Sequence, residues 1–149
     1  MAHRAEEVMA AIELLVTGLT TTGANIERGR VYPWADAQLP AISLYMGADS
    51  PINNEQRNMG FYDWQLEIKV VAMCKKTESS GIETTLNLIR SEFTTAIMVD
   101  HTLGESFVID VIEIGSESPE ISGEAEKPAA TQQTNFIVNY RRSIGDPRQ

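Results

Sequence analysis

Few side chains in this sequence have the residue types and the spacing that enzyme catalysis requires. The chain has 2 histidines, His3 and His101, so general-base chemistry of the commonest kind depends on one of them. Asp100 directly precedes His101, and a carboxylate beside a histidine can orient the imidazole. Neighbours in sequence seldom face each other, however, and this pair follows a predicted helix. We interpret Asp100 and His101 as a helix-ending turn; a small enzyme or ligand-binding domain that uses them is the alternative.

The other motifs of the chain argue against a cofactor, a metal site and a nucleophile. None of the 10 glycines forms G-x-G, and the phosphate loop G-x-x-x-x-G-K-[ST] does not occur. No pair of histidines has metal-ligand spacing, and residues 104–106 (GES) lack the second glycine of a nucleophile elbow. Cys74 precedes Lys75 and Lys76, which could lower its pKa, but a buried structural thiol is the expected role. We therefore expect no catalytic residue, no cofactor and no metal.

The charge of the chain argues against two classes of partner. Its 149 residues carry 12 Lys and Arg against 21 Asp and Glu, a net charge of −9. Tight binding of nucleic acid or of anionic membranes depends on clustered Lys and Arg, so we expect neither. Residues 79–130 hold 2 bases and 10 acids (−8), whereas residues 131–149 hold 3 bases and 1 acid (+2). The chain is therefore polarised along its sequence.

Apolar periodicity predicts two helices and one long strand. Residues 4–19 carry apolar side chains at three- and four-residue steps, and so do residues 81–99. Each helix therefore has a single apolar stripe that must be buried. Residues 61–74 alternate apolar and polar side chains, which is typical of a strand with one buried face. This strand exceeds the usual length, and we expect that it extends beyond its sheet as a hairpin arm.

Shorter segments complete the predicted fold. Residues 26–32 and 41–46 are candidate short strands, and residues 131–143 alternate as a last strand. Residues 107–114 are apolar on both faces except at two positions, which predicts a central strand covered by helices. The pattern predicts an α+β fold: a mixed, mainly antiparallel sheet of about four strands with two helices packed on one face.

The chain is predicted to form a single domain, residues 1–149, with three irregular segments. Turn-forming residues predict a solvated loop at 48–60. Residues 115–128 contain four glutamates and almost no apolar side chains, and predict a mobile acidic loop. Residues 145–149 are expected to be a frayed tail. No stretch approaches the ~18 apolar residues of a membrane span and the start does not resemble a signal peptide, so we expect a soluble protein made in the cytoplasm.

Aromatic and arginine side chains are the candidates for contact with a partner. Trp34 lies in a proline-flanked loop, and Phe61 and Tyr62 begin the long strand; aromatic side chains are enriched at the centres of interfaces. Four arginines can form a basic edge: Arg28, Arg30, Arg141 and Arg142. A basic edge on one copy complements the acidic run of the next, and a head-to-tail contact of this kind closes into a ring. Core packing of the aromatics and scattered solvated charge are the alternatives.

Six stretches of the chain resemble the small tail-completion proteins of tailed bacteriophages, and most of all the tail terminators of the minor tail protein U group. The resemblance covers almost the whole chain, in the same order. The stretches are residues 19–34 (LTTTGANIERGRVYPW), 39–49 (LPAISLYMGAD), 86–93 (LNLIRSEF), 101–108 (HTLGESFV), 118–130 (SPEISGEAEKPAA) and 139–147 (NYRRSIGDP).

The resemblance implies a structural virion protein without catalytic residues. Terminators of this family have an α/β fold and form a hexameric ring on the head-proximal end of the tail tube, where they end tube polymerisation and offer a surface to the head connector. The implied partners are further copies of the chain, the tail tube protein and a connector or neck protein, in a virion made in the bacterial cytoplasm.

An acidic segment can also serve DNA passage through such a ring. We predict that four glutamates face its bore and repel DNA phosphates, so that DNA passes without tight binding: Glu117, Glu120, Glu124 and Glu126. A neck or head-completion protein that contacts the connector is the alternative within the virion. A non-viral adaptor domain with an acidic docking loop is an alternative outside it.

Overall fold

The computed structural model describes residues 2–52, 60–75, 81–121 and 129–149. These residues form two α-helices, α1 (Arg4–Val16) and α2 (Ile82–Met98). They also form six strands: β1 (Ile26–Arg28), β2 (Ala41–Pro51), β3 (Phe61–Lys75), β4 (Val108–Ser116), β5 (Glu120–Ile121) and β6 (Ala129–Ser143). The predicted α+β class is confirmed.

The strands form one mixed, mostly antiparallel sheet in the order β1-β2-β3-β6-β4, with β5 also paired to β6. Only β1 and β2 run parallel among these pairs. β3 and β6 are the longest strands, with 15 residues each, and they pair from Phe61 opposite Ser143 to Lys75 opposite Ala129. This long antiparallel pair is the centre of the sheet, and it links the two ends of the domain.

Both helices pack on one face of the sheet, as their apolar stripes predict. The stripe of α1 and the stripe of α2 join one core cluster with the inward-facing residues of β2, β3, β4 and β6. Phe93 of α2 meets Phe136 of β6 edge to face, with ring centroids 6.1 Å apart. Each large apolar side chain buried in this way contributes about 1.5–3 kcal/mol. In the described ranges, neither helix is long and apolar enough to cross a membrane.

The sheet has more strands than the predicted four, and β4 is not central. β1 and β5 span three and two residues, too few to produce a detectable alternation. β4 pairs with β6 alone among the described strands, so it lies at an edge. Register shifts interrupt the pairing of β4 with β6 at two points, and three isoleucines of β4 stand exposed. These are Ile109, Ile112 and Ile114.

Two predicted loops are shorter than expected. Residues 48–51 belong to β2, where Asp49 lies opposite Leu66 after a register shift. Residues 115–116 belong to β4 and residues 120–121 form β5. In both places the backbone of a long neighbouring strand supplies hydrogen-bond partners to residues whose local preference is a turn. Residues 53–59 and 122–128 of the predicted loops lie outside the described residues.

The predicted hairpin arm is wrong, and the end of the chain contacts the start of α1. β3 is flanked by β2 and β6 along most of its length, so it stays within the sheet. The chain end folds back against the start of α1, where Arg4 N donates to Pro147 O at 2.9 Å. Asp146 N donates to Ser143 O at 3.4 Å and closes a turn. This contact brings the two ends of the chain together.

Candidate interaction surface

Asp100 and His101 form a turn at the end of α2, as the sequence predicts. Asp100 Oδ1 accepts hydrogen bonds from Thr102 N at 2.9 Å and Thr102 Oγ1 at 2.7 Å, and Oδ2 accepts one from Gly104 N at 3.1 Å. The bonds from Thr102 are the main reason that the pKa of Asp100 lies below its ordinary value. His101 is exposed. The carboxylate therefore orients its own turn rather than the imidazole.

Cys74 is a buried structural thiol, and its environment is the opposite of an activating one. Its side chain belongs to the core cluster, and Sγ lies 3.8 Å from Ile82 O. Burial raises the pKa of the thiol, because the thiolate is poorly solvated there. Within the part of the chain that the structure describes, no group of three or more His, Cys, Asp or Glu is placed to hold a metal ion.

The four candidate arginines do not form one basic edge. Arg28 lies opposite Leu44, Leu44 opposite Val70, and Val70 opposite Thr134. Arg142 lies eight residues beyond Thr134 on β6, which is roughly 26 Å at the rise of an extended strand. Arg28 and Arg30 therefore belong to one region of the molecule, and Arg141 and Arg142 to another.

The first region pairs its cations with carboxylates of the same chain. Arg28 donates two hydrogen bonds to Glu6, from Nη1 to Oε1 at 2.7 Å and from Nη2 to Oε2 at 2.8 Å. Arg28 Nη1 also lies 3.7 Å from Oε2 of Glu13. The hydrogen bond from Arg28 is the largest cause that lowers the pKa of Glu6. Arg30 pairs with Glu27. We name this region the Arg28 cluster; its members are Glu6, Glu13, Glu27, Arg28, Arg30 and Trp34.

Trp34 of the Arg28 cluster contacts its own sheet. Its Nε1 donates to Ser43 Oγ at 2.9 Å, and the guanidinium of Arg30 lies 3.8 Å from its ring centroid. The ring is half-buried and, with Val71 and Met73, lines a hollow over the sheet face that the helices leave open. The predicted contact residue therefore already has an apolar and a polar partner within the chain.

The second region is a groove of about 510 Å³ at the opposite end of the sheet. Guanidinium groups lie over aromatic rings around it: Arg4 is 4.0 Å from the centroid of Phe107, and Arg141 is 4.3 Å from that of Phe61. We name this region the arginine–aromatic groove; its lining includes Arg4, Phe61, Phe107, Arg141 and Arg142. The contact between the chain ends places Arg4 there.

Arg142 is the uncompensated cation of the groove. Arg141 is paired with Asp63, Nε to Oδ1 at 2.8 Å, which raises the pKa of Arg141. Arg4 lies 3.7 Å from Glu7. Arg142, by contrast, forms no ion pair with any carboxylate of residues 2–52, 60–75, 81–121 and 129–149.

Arg142 is held in place by aromatic side chains and a histidine. Its guanidinium lies 3.5 Å from the ring centroid of Trp64 and 5.5 Å from that of Tyr62. Nη2 donates to Tyr62 Oη at 3.3 Å, and Nη1 lies 3.0 Å from His3 Nε2. Arg142 and Ser143 also line a second hollow of about 240 Å³. Asp146 also lines this second hollow, where it pairs with Arg148. A positive charge that forms no ion pair within the described residues and lies beside two hollows is suited to bind an anionic group.

A buried hydrogen bond supports this end of the sheet. Tyr140 is fully buried, and its hydroxyl donates to Asp49 Oδ1 at 2.9 Å and Oδ2 at 2.8 Å. Burial is the largest cause that raises the pKa of Tyr140, followed by the bond to Asp49. Phe107 packs edge to face on Tyr140, with centroids 6.4 Å apart. Phe107, which lines the groove, therefore packs on a buried, hydrogen-bonded side chain.

The structure unites some of the predicted site residues and adds others. It places Phe61, Tyr62, Arg141 and Arg142 around one end of the sheet. Sequence reasoning missed His3, Arg4, Phe107 and Asp49, because their contacts with β6 join residues far apart in the chain. Glu117 and Glu120 are exposed near the start of β6, and Glu124 and Glu126 lie outside the described residues.

Comparison with known proteins gives no match: no protein-family model fits this sequence, and no curated protein is significantly similar to it.

Proposed function

We propose that the chain is a structural subunit that caps the head-proximal end of a phage tail tube as a homo-hexameric ring, ends tube polymerisation and provides the surface for head joining. The observation that carries this proposal is the arginine–aromatic groove, where Arg142 lies on the Trp64 ring at an open surface and forms no ion pair within the described residues. That arrangement is suited to contact between proteins. The sequence resemblance to tail terminators supplies the kind of assembly.

The other polar groups that sequence analysis singled out support a structural role. Asp100 serves its own turn, and Cys74 is buried with a raised pKa. The partners proposed are further copies of the chain, the tail tube protein and the connector or neck protein. DNA passes through the ring without tight binding, since the acidic charge of residues 79–130 repels phosphates.

The experiment that tests this function is inactivation of the gene in the phage that carries it, followed by electron microscopy of the lysate. A terminator is needed to stop tube growth, so its loss is expected to give overlong tails of variable length. Re-supply of the wild-type chain from a plasmid is the control and restores the normal length. Tails of normal length that stay unjoined to heads would instead identify a neck protein, and normal infectious virions would contradict both roles.

A further inference from the structure

We propose that the arginine–aromatic groove of one copy binds residues 117–121 of the next copy, with Glu117 and Glu120 as the anionic groups and Ile121 as the apolar one. This inference rests on the proposed function, because it assigns the contact that joins neighbouring subunits of the ring. It assigns Glu117 and Glu120 to the contact between subunits. The prediction that glutamates face the bore of the ring then applies to Glu124 and Glu126.

Arg142, which lines the groove, also presents a donor beside His3 in the adjoining hollow that Asp146 lines with them. His3 caps α1, and its Nδ1 accepts a hydrogen bond from Ala5 N at 3.0 Å. A neutral ring that accepts at Nδ1 carries its proton on Nε2. That nitrogen lies 3.0 Å from Arg142 Nη1, which is also a donor. Two donors that face each other need a shared acceptor, and a carboxylate brings two acceptor oxygens to such a place.

Residues 117–121 offer the complementary groups. Glu117 and Glu120 are exposed, and neither forms an ion pair within the part of the chain that the structure describes. Ile121 follows directly and is 55% exposed, although it is a large apolar side chain. A carboxylate on Arg142 and an isoleucine side chain beside the half-buried ring of Phe61 match both kinds of surface in the groove.

The contact cannot form within one copy. Glu120 pairs with Thr131 near the start of β6, and Arg142 lies eleven residues further along the same strand. At the rise of an extended strand this separation is roughly 36 Å. Because β6 is fixed between β3 and β4, the two sites stay at opposite ends of the sheet. Their union is therefore head-to-tail between copies, and a head-to-tail contact closes into a ring when its rotation permits.

Sedimentation velocity of the full chain, at concentrations up to about 1 mM, tests the contact through charge reversal. The wild type is expected to associate as its concentration rises. The groove variant R142E and the segment variant E117R/E120R are each expected to associate roughly thirtyfold or more weakly, because each brings like charges together at the contact. R28E, in the Arg28 cluster, and E83R, at the exposed start of α2, are the matched controls and keep wild-type association. Circular dichroism verifies the fold; the segment variant is exposed and tests the contact even where R142E perturbs folding.

Mixing the two weakened variants separates this contact from a general charge effect. Each variant retains one native half, and the reversed groove of one complements the reversed segment of the other, so the mixture is expected to associate beyond a heterodimer although neither variant does so alone. A chain that carries R142E, E117R and E120R together presents the reversed pair and regains association. Wild-type-like association of both variants overturns the inference, and so does a wild type that stays monomeric throughout. The tail-length experiment tests the proposed function separately. A terminator whose copies meet through another surface would still give overlong tails when its gene is inactivated.

Discussion

The Arg28 cluster and the arginine–aromatic groove use the same residue type in two electrostatic settings. Arg28 and Arg30 meet the carboxylates of Glu6 and Glu27, so their charges are balanced within the chain. Arg142 lies on the Trp64 ring and meets no carboxylate among the described residues. Stacking fixes a guanidinium without neutralising it, whereas an ion pair does both.

The difference between the Arg28 cluster and the groove indicates which of them can bind a partner. A paired surface arginine has little to gain from a second carboxylate, because its hydrogen-bond donors are already used. A stacked arginine keeps its charge and part of its N–H edge for a partner, and it has lost its rotational freedom in advance, which lowers the entropic cost of binding. We therefore regard the groove as a binding surface and the Arg28 cluster as a structural one.

The largest expected effect is the difference in stability lost when the two tryptophans that carry the stacked arginines Arg142 and Arg30 are replaced. Trp64 packs against the core, so W64A is expected to lower the free energy of unfolding by about 2–4 kcal/mol. Trp34 covers the open sheet face, and W34A is expected to cost about 1–2 kcal/mol. Urea unfolding measures both values, and W64F is the control that keeps an aromatic face under Arg142. Equal losses in the free energy of unfolding for W64A and W34A would contradict the expected difference between the two tryptophans.

A smaller loss of stability is expected when a tyrosine hydroxyl near each of the two regions is removed. Tyr140 donates to the carboxylate of Asp49, and a hydrogen bond to a charged group is worth about 1.5–3 kcal/mol, the loss expected for Y140F. Tyr45 donates to the neutral carbonyl of Arg30 at 2.8 Å, so Y45F, the matched control, is expected to cost about 0.5–1.5 kcal/mol. Thermal unfolding monitored by circular dichroism compares them. A larger loss of stability for Y45F than for Y140F would contradict this order.

The smallest effect is a difference in acid sensitivity. Arg28 holds the pKa of Glu6 below its ordinary 4.5, so the unfolded chain binds the proton more readily. The stabilisation is therefore fully present above that value and is lost as the pH falls through the lower pKa of the folded state. Glu6 is over half exposed, with 53% of its side-chain surface accessible, so solvent screening limits the contribution to below about 1 kcal/mol.

R28Q removes this contribution and R142Q provides the comparison. Relative to wild type, R28Q is expected to lose slightly more stability at pH 7 than at about pH 3, because the contribution of the pair declines as the pH falls below the ordinary pKa of Glu6. R142Q is compared in the H3Q background, because His3 Nε2 lies 3.0 Å from Arg142 Nη1 and would otherwise contribute. Arg142 forms no ion pair within the described residues, so R142Q is expected there to shift stability equally at both pH values. Urea unfolding at the two pH values measures the difference. A pH-dependent loss for R142Q would reveal a carboxylate that interacts with the groove.

Much of the fold could be predicted from the sequence, because helices and long alternating strands are local patterns. The stripes of α1 and α2 and the alternation of β3 all depend on residues within one element. The position of β4 could not be predicted in this way. Its apolar residues fit a central strand equally well, and only the pairing of β6 with both β3 and β4 places it at an edge.

The candidate site was less predictable, because its partners come from four parts of the chain. The aromatic start of β3 and the two arginines near the end of β6 were visible as suitable residue types. Their neighbours were not, since His3 and Arg4 reach them through the contact between the chain ends. Arg28 and Trp34 were suitable by type as well, but their partners within the chain occupy them.

The sequence by itself determined the α+β class, the two amphipathic helices, the long strand and the uneven charge, because each follows from composition or from periodicity along one segment. Only the tertiary structure decided which arginines are neutralised and which stay available. That outcome depends on which carboxylates and rings the sheet brings within about 4 Å of each guanidinium, the distance over which an ion pair is effective. Strand order and register set those neighbours, and they join residues that lie far apart in the sequence.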